Sequence, residues 1–254
     1  RESFVDDAGN KHYFVPDGFN EAFVPPLNPI LPNQIKQNEK FVSADSLAAY
    51  LMNYGTPKTI IRAKPADGTV HAVLDYHGDN KFSEGRAGHC LHNAFFQATF
   101  DENWRRWREV DHKMMDQVAF AEFIEEMMPT IMRPAGADLL EMAQNLKINR
   151  GVVFKNNKRL KDGTYDIEYV EKDETKIGGG GHVAVPDDIE ITLPVYLLRV
   201  PQTINIKLRY RVEKGSPLQF RLDILNRGLI EFEAFHLMVN EISVVSKFPY
   251  YLVG

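Results

Sequence analysis

Apolar residues recur along this chain at two different periods. Between Gln117 and Met127, Phe120, Phe123, Ile124 and Met127 follow at i, i+3, i+4 and i+7, with Glu122, Glu125 and Glu126 mostly off that stripe. This is the pattern of a helix lying on a core. Asp116 precedes the stripe, where its carboxylate suits the free amides of a first turn. Pro129 ends it, because the residue before a proline is pushed out of the α region. A shorter helix headed by Asp101 puts Trp104 and Trp107, three apart, on one face. Ser43 caps a helix through Leu47, Tyr50, Leu51 and Tyr54, with Gly55 expected as its left-handed stop. Leu139, Leu140, Ala143 and Leu146 mark a helix over 138–148, and Leu229, Phe232, Val239 and Ile242 one near the C-terminus.

Elsewhere the period is two. TIIRA (59–63), the Asp67–Gly68 turn and TVHAVLDY (69–76) read as a hairpin, and LHNAFFQATF (91–100) as a third strand. GVVFKNNKRL (151–160), a turn at 161–163 and TYDIEYVEKDE (164–174) read as a second hairpin, followed by a flexible link at Gly178–Gly181. IEITLPVYLL (189–198), INIKLRYRVE (204–213) and LQFRLDIL (218–225) read as three more strands. In the second, Ile204, Ile206, Leu208, Tyr210 and Val212 alternate with Asn205, Lys207, Arg209, Arg211 and Glu213, which implies an antiparallel sheet with one wet face. The expected architecture is α+β: antiparallel β-sheet(s), three to four helices, and extended N- and C-terminal arms.

Residues 1–40 form the first arm. Pro16, Pro25, Pro26, Pro29 and Pro32 forbid a continuous helix or a central strand there. Phe19, Phe23, Leu27, Ile30 and Leu31 make the segment too apolar for a disordered tail, so it reads as an arm lying in a groove. A single α+β domain is expected over 41–245, with a soft division near 150, then an aromatic tail over 246–254.

Bulk properties narrow the function. With 44% hydrophobic and 26% charged residues, the 254-residue chain has an ordinary globular composition. A net charge of −5 sets up no global basic field for nucleic acid or anionic membrane. The single cysteine, Cys90, excludes an internal disulfide framework and fits a reducing cytosol. No apolar run approaches the roughly 18 residues of a membrane span, and no signal-peptide pattern is seen. The chain opens on Arg1 rather than Met, so its natural start is left open.

Three chemistries are carried by residue type. His71, Asp75, His77, His89, Cys90 and His92 are of the kinds that bind zinc, and would serve a metal-dependent hydrolase. They match no tight ligand spacing, and His89 and His92 face opposite sides of a strand. His77, His89, Cys90 and His92 are therefore weak metal candidates, and no cofactor is expected. Secondly, WRRWR interleaves Arg105, Arg106 and Arg108 with tryptophan, a pattern suited to phosphates and stacked bases. Lys207, Arg209 and Arg211 add a basic row that Arg221 extends. Core tryptophans under a solvated arginine face are the plainer reading, favoured by the acidic total. Thirdly, the apolar arm and the tail residues Phe248, Tyr250, Tyr251 and Leu252 suit self-assembly, since no obvious internal partner claims them. The glycine run lacks the context of a phosphate loop, and no GxSxG elbow is present.

Several segments together resemble the YfdQ-like family of phage and prophage proteins of unknown function. They are FVSADSLAAYLMNYG (41–55), AVLDYH (72–77), FDENWRRW (100–107), QVAFAEFIEEMMP (117–129), ADLLEMAQNL (137–146) and INIKLRYRVEKG (204–215). The resemblance covers 41–242 and leaves out the arm and the tail. It implies a phage or prophage origin and a bacterial cytoplasmic setting, and it supplies no catalytic residues. The resulting expectation is a non-enzymatic, cytoplasmic homo-oligomer, ring or shell-like, held by the arm and the tail. A nucleic-acid or nucleotide binder is second, a metal-dependent hydrolase third, and no membrane partner is expected.

Overall fold

The computed structural model describes residues 3–6, 11–13, 34–78, 87–145, 165–170, 180–211 and 218–254. Its first elements are β1 (Ser3–Val5), β2 (Lys11–Tyr13), β3 (Gln37–Phe41), α1 (Ala44–Tyr54), β4 (Ile60–Lys64), β5 (Thr69–Val73) and β6 (His92–Gln97). Next come α2 (Glu102–Val110), β7 (Met114–Asp116), α3 (Gln117–Met127), a 3-10 turn (Met128–Thr130), β8 (Ile131–Arg133) and α4 (Gly136–Asn145). The rest comprises β9 (Tyr165–Val170), β10 (Gly180–Val185), β11 (Asp188–Leu193), β12 (Gln202–Arg211), β13 (Gln219–Ile224), α5 (Arg227–Ser246) and β14 (Tyr250–Leu252). The fold is α+β, with five helices among the described residues against the three to four expected. Two compact units emerge, 1–97 with 239–254, and 98–238.

The first unit is built on a five-stranded sheet in the order β14-β4-β5-β6-β3. β4, β5 and β6 run antiparallel, whereas β14 and β3 join the two edges in parallel. The β4–β5 hairpin turns at Gly68, whose φ of 65° favours glycine. Ser43 caps α1 by accepting from the Ser46 amide at 3.1 Å. Ala44, Leu47, Ala48 and Leu51 form the buried stripe of α1, which packs against β6 and β3. Ile61, Ala72 and Ala94 stand in register across the sheet and are fully buried. Gly55 is not the left-handed stop expected: its φ is −65° and its ψ 147°.

The second unit is built on an antiparallel sheet in the order β7-β13-β12-β11-β8. Alternation along β12 follows its sequence, with Ile204, Ile206 and Leu208 buried and Arg209 and Arg211 exposed. The apolar face holds Ile189, Ile191, Phe220 and Leu222, all fully buried. Phe120 of α3 stacks on Phe220 at 4.3 Å between ring centroids. Asp101 and Asp116 cap α2 and α3 as their positions predicted, accepting from the Asn103 and Ala119 amides at 2.9 and 2.8 Å.

Three expectations are corrected. The strand read through 189–198 ends at Leu193, because Pro194 has no amide to continue the ladder. Gly180 and Gly181 lie within β10, paired to Val170 and Tyr169 of β9, so that part of the glycine run is strand rather than link. The partner expected for β9, residues 151–160, lies outside the described residues. Finally, Leu229 and Phe232 are exposed on α5; its buried face is Phe235, Met238, Val239 and Ile242.

Candidate functional site

The apolar termini come first. Phe19, Phe23, Leu27, Ile30 and Leu31 lie outside the described residues. The tail finds a partner within its own chain. Tyr250, Tyr251 and Leu252 stand beside Ile61, Arg62 and Ala63 of β4. The Ile61 amide donates to the Pro249 carbonyl at 3.0 Å, and the Val253 amide to that of Ala63 at 2.9 Å. Ser243 Oγ donates to the Phe248 carbonyl at 2.6 Å, and the Phe248 ring lies over Gly55. Tyr251 and Leu252 keep exposed side chains.

A second apolar surface was hidden by reading 189–198 as one strand. The turn after β11 leaves Leu198 71% and Val200 80% exposed, with Leu197 exposed beside them. Leu198 sits at φ 60°, in the left-handed region. Tyr196 anchors this turn by stacking on Phe100 at 4.8 Å and donating to the Glu231 carbonyl at 3.4 Å. Burial, with Glu231 adding, pushes the Tyr196 phenol up to about 12. The turn is thus tied to the part of α5 that displays Leu229 and Phe232. Pro194 and Pro201, which bracket the turn, were its sequence signal.

The WRRWR segment serves the core. Trp104 and Trp107 are fully buried, with Trp107 Nε1 donating to Thr130 Oγ1 at 3.1 Å and Trp104 Nε1 to Glu231 Oε1 at 3.3 Å. Neither ring offers a stacking surface to a base. Arg106 pairs with Glu126 at 2.6 Å. Arg108 lies over the Phe100 ring at 4.2 Å, 2.8 Å from Glu231. Arg105 is exposed and makes no ion pair among the described residues.

The wet sheet face gathers a denser network. Lys207 pairs with Asp188 at 2.9 Å. Arg209 and Arg221 are direct cross-strand neighbours and converge on Asp223: Arg209 Nε donates to Oδ2 at 2.6 Å and Arg221 Nη2 at 3.0 Å. His112 Nδ1 lies 3.0 Å from Asp223 Oδ1, and its Nε2 3.6 Å from Asp111 Oδ1. Asp111 accepts from the Ile224 amide at 2.8 Å and from Arg227 Nη1 at 2.6 Å. Both acids are buried, while His112 is mostly exposed and holds a left-handed φ of 59°. Burial alone would raise the Asp223 carboxyl, but the hydrogen bonds of Arg221 and Arg209 and the charges of Arg221 and His112 outweigh it and hold it low. Arg211 continues the row along β12, exposed. Of this group, sequence reasoning missed Asp111, His112, Asp223 and Arg227. Asp111 and His112 follow directly on α2, and no periodicity marks them.

The histidines separate. His77 Nδ1 accepts from the Gly88 amide at 3.0 Å, with its Nε2 4.0 Å from Cys90 Sγ. His89 is exposed, and His92 is buried with Nε2 2.7 Å from Tyr50 Oη. His71 stacks on Phe95 and meets Asn93 at 2.8 Å. Asp75 accepts from the Leu91 and His92 amides at 3.0 and 3.1 Å, so it holds backbone. Among the described residues, no group of three His, Cys, Asp or Glu side chains is placed to hold a metal ion. Nor is any described helix long and apolar enough to cross a membrane.

Comparison with known proteins places the chain. A family of uncharacterized conserved proteins, DUF2303, matches residues 1–253, and the chain belongs to it. The match takes in the proline-rich arm and the aromatic tail, which the YfdQ-like resemblance had left out. No curated protein and no solved structure matches the chain.

Proposed function

We propose that this DUF2303 chain is a non-enzymatic protein that associates with copies of itself through the Tyr196–Val200 turn and the neighbouring first turns of α5. The observation that carries this reading is Leu198, a leucine at φ 60° with most of its side chain in water. The left-handed conformation costs an L-residue roughly 1–2 kcal/mol. Leaving the side chain in solvent also forgoes about 1.5–3 kcal/mol of burial. A surface that covers Leu198, Leu197, Val200 and Phe232 recovers the second cost and justifies the first. A second copy of the chain supplies such a surface, since a two-fold contact brings the same turn and helix from both sides.

The arm residues Phe19, Phe23, Leu27, Ile30 and Leu31 provide a second contact in this reading. Two contacts per copy are what a closed ring or shell requires. The outward side chains of Tyr251 and Leu252 line the same assembly. In keeping with the YfdQ-like resemblance, the setting is a phage- or prophage-encoded protein in the bacterial cytoplasm.

The test is native mass by light scattering after size exclusion. The wild type is expected at a discrete multiple of 29.1 kDa, and Leu198→Asp at a smaller mass with its circular dichroism unchanged. Deleting residues 1–32 is expected to reduce the mass in a separate step. A monomeric wild type sinks the proposal, whereas an unchanged mass after the deletion removes the arm from it.

A further inference from the structure

We propose that the wet face of the second sheet binds a phosphoryl oxyanion, in a site built by Arg209, Arg221 and Arg227 around the buried Asp111 and Asp223, with His112 reaching both acids. Arg209 and Arg221 face each other directly across β12 and β13, an arrangement that like charges normally disfavour. A single carboxylate, Asp223, holds the two together. Counting Asp111 and Arg227, three guanidiniums face two carboxylates, which leaves one positive charge, and two when His112 is protonated. The adjoining Arg108–Glu231 pair changes nothing in that balance.

The surplus faces water. The side chains of Asp111 and Asp223 are 2% and 6% exposed, those of Arg209 and His112 57% and 64%. Arg209 donates to Asp223 through Nε alone, and its two Nη groups carry no hydrogen bond among the described residues. Guanidinium forks match the oxygens of a phosphoryl group bidentately. The buried acids fix the arginine rotamers beforehand, so little ordering cost remains for binding. His112 is held in its left-handed conformation by its amide donating to the Leu222 carbonyl at 2.8 Å, a strained backbone of the kind found at ligand sites.

The same chemistry is offered by free phosphate and by a nucleic-acid backbone, so both are tested on the full chain. One probe is a fluorescein-labelled single-stranded oligonucleotide read by anisotropy across a salt series; the other is inorganic phosphate read by titration calorimetry. Arg209→Gln is expected to weaken binding about tenfold or more, because it removes a charged two-pronged contact. Arg105→Gln removes the same charge from an exposed helix position and is expected to change binding less than about twofold. Arg209→Gln is expected to melt a few degrees below wild type, because Asp223 loses one partner while Arg221 and His112 still hold it, so binding is read well below that melting temperature. Arg221→Gln provides a second variant. Oligonucleotide binding with a log–log salt slope near −2, as about three phosphate contacts to a single strand predict, identifies a polymer backbone. Binding of inorganic phosphate alone, with the same sensitivity to Arg209→Gln, identifies a free phosphate. Failure of both probes to bind, or equal losses in Arg209→Gln and Arg105→Gln, overturns the site.

Discussion

At Gly55 the backbone is extended, a conformation open to any residue, but the Phe248 ring and the Leu51 carbonyl occupy the space a Cβ would need. Gly55→Ala is therefore expected to cost about 1–3 kcal/mol through overpacking. Urea unfolding checks this, and Phe248→Ala added to it should recover part of the loss. A Cβ at Gly88 would meet the Asp75 and Tyr76 carbonyls, so that position also resists a side chain. Among the described residues, Asp223 and His92 contribute to the response to acid. Asp223 has a folded pKa below its unfolded value, so the unfolded chain binds more protons and stability rises with pH through the carboxylate range. Its contribution is complete above about pH 3.9 and is lost as pH falls through the folded value. Burial keeps the His92 imidazole below its ordinary value, with Asp75 and Glu39 opposing. Its share of stability is present above about pH 6.5 and is lost as pH falls below that. Melting temperature against pH should therefore decline in two steps on the acid side. Asp223→Asn should flatten the lower step and His92→Gln the upper. A curve unchanged by either variant contradicts the assignment.

At the scale of elements, helices were legible where a cap and a stripe agreed. Asp101, Asp116 and Ser43 each head the helix predicted for them. Three-residue strands were not legible, because β7, β8 and β14 are too short to show a period of two. The tail illustrates this. Its aromatic and apolar residues read as a docking segment, but only the sheet supplies the dock, along β4. Removing residues 248–254 is expected to lower the melting temperature by several degrees, the effect of losing the β4 edge pairing and the Phe248 ring at Gly55. It should also promote aggregation, because a freed edge strand is a template for pairing. Calorimetry with turbidity checks both, and a truncated chain with unchanged melting and clarity would show the tail to be dispensable.

For the whole molecule, self-association couples stability to concentration. If copies cover the Leu198 turn, each tenfold rise in protein concentration adds up to about 1.4 kcal/mol to the assembled state. That should raise the melting temperature by about 2–4 °C in a chain of this size. Leu198→Asp should abolish the dependence, and a wild-type melting temperature independent of concentration would contradict the interface.

The sequence alone determined the fold class, the caps, most long elements and the burial of alternate residues on β12, because periodicity and local hydrogen bonding need only near neighbours. It could not reveal that the tail completes a sheet begun some 190 residues earlier, or that Gly55 is needed for the room it gives Phe248. Nor could it place Asp111 and His112 against Asp223, Arg209 and Arg221, which lie roughly a hundred residues away. Those pairings depend on strand order and register, which bring distant segments together, and such long-range contacts leave no periodic trace in the chain.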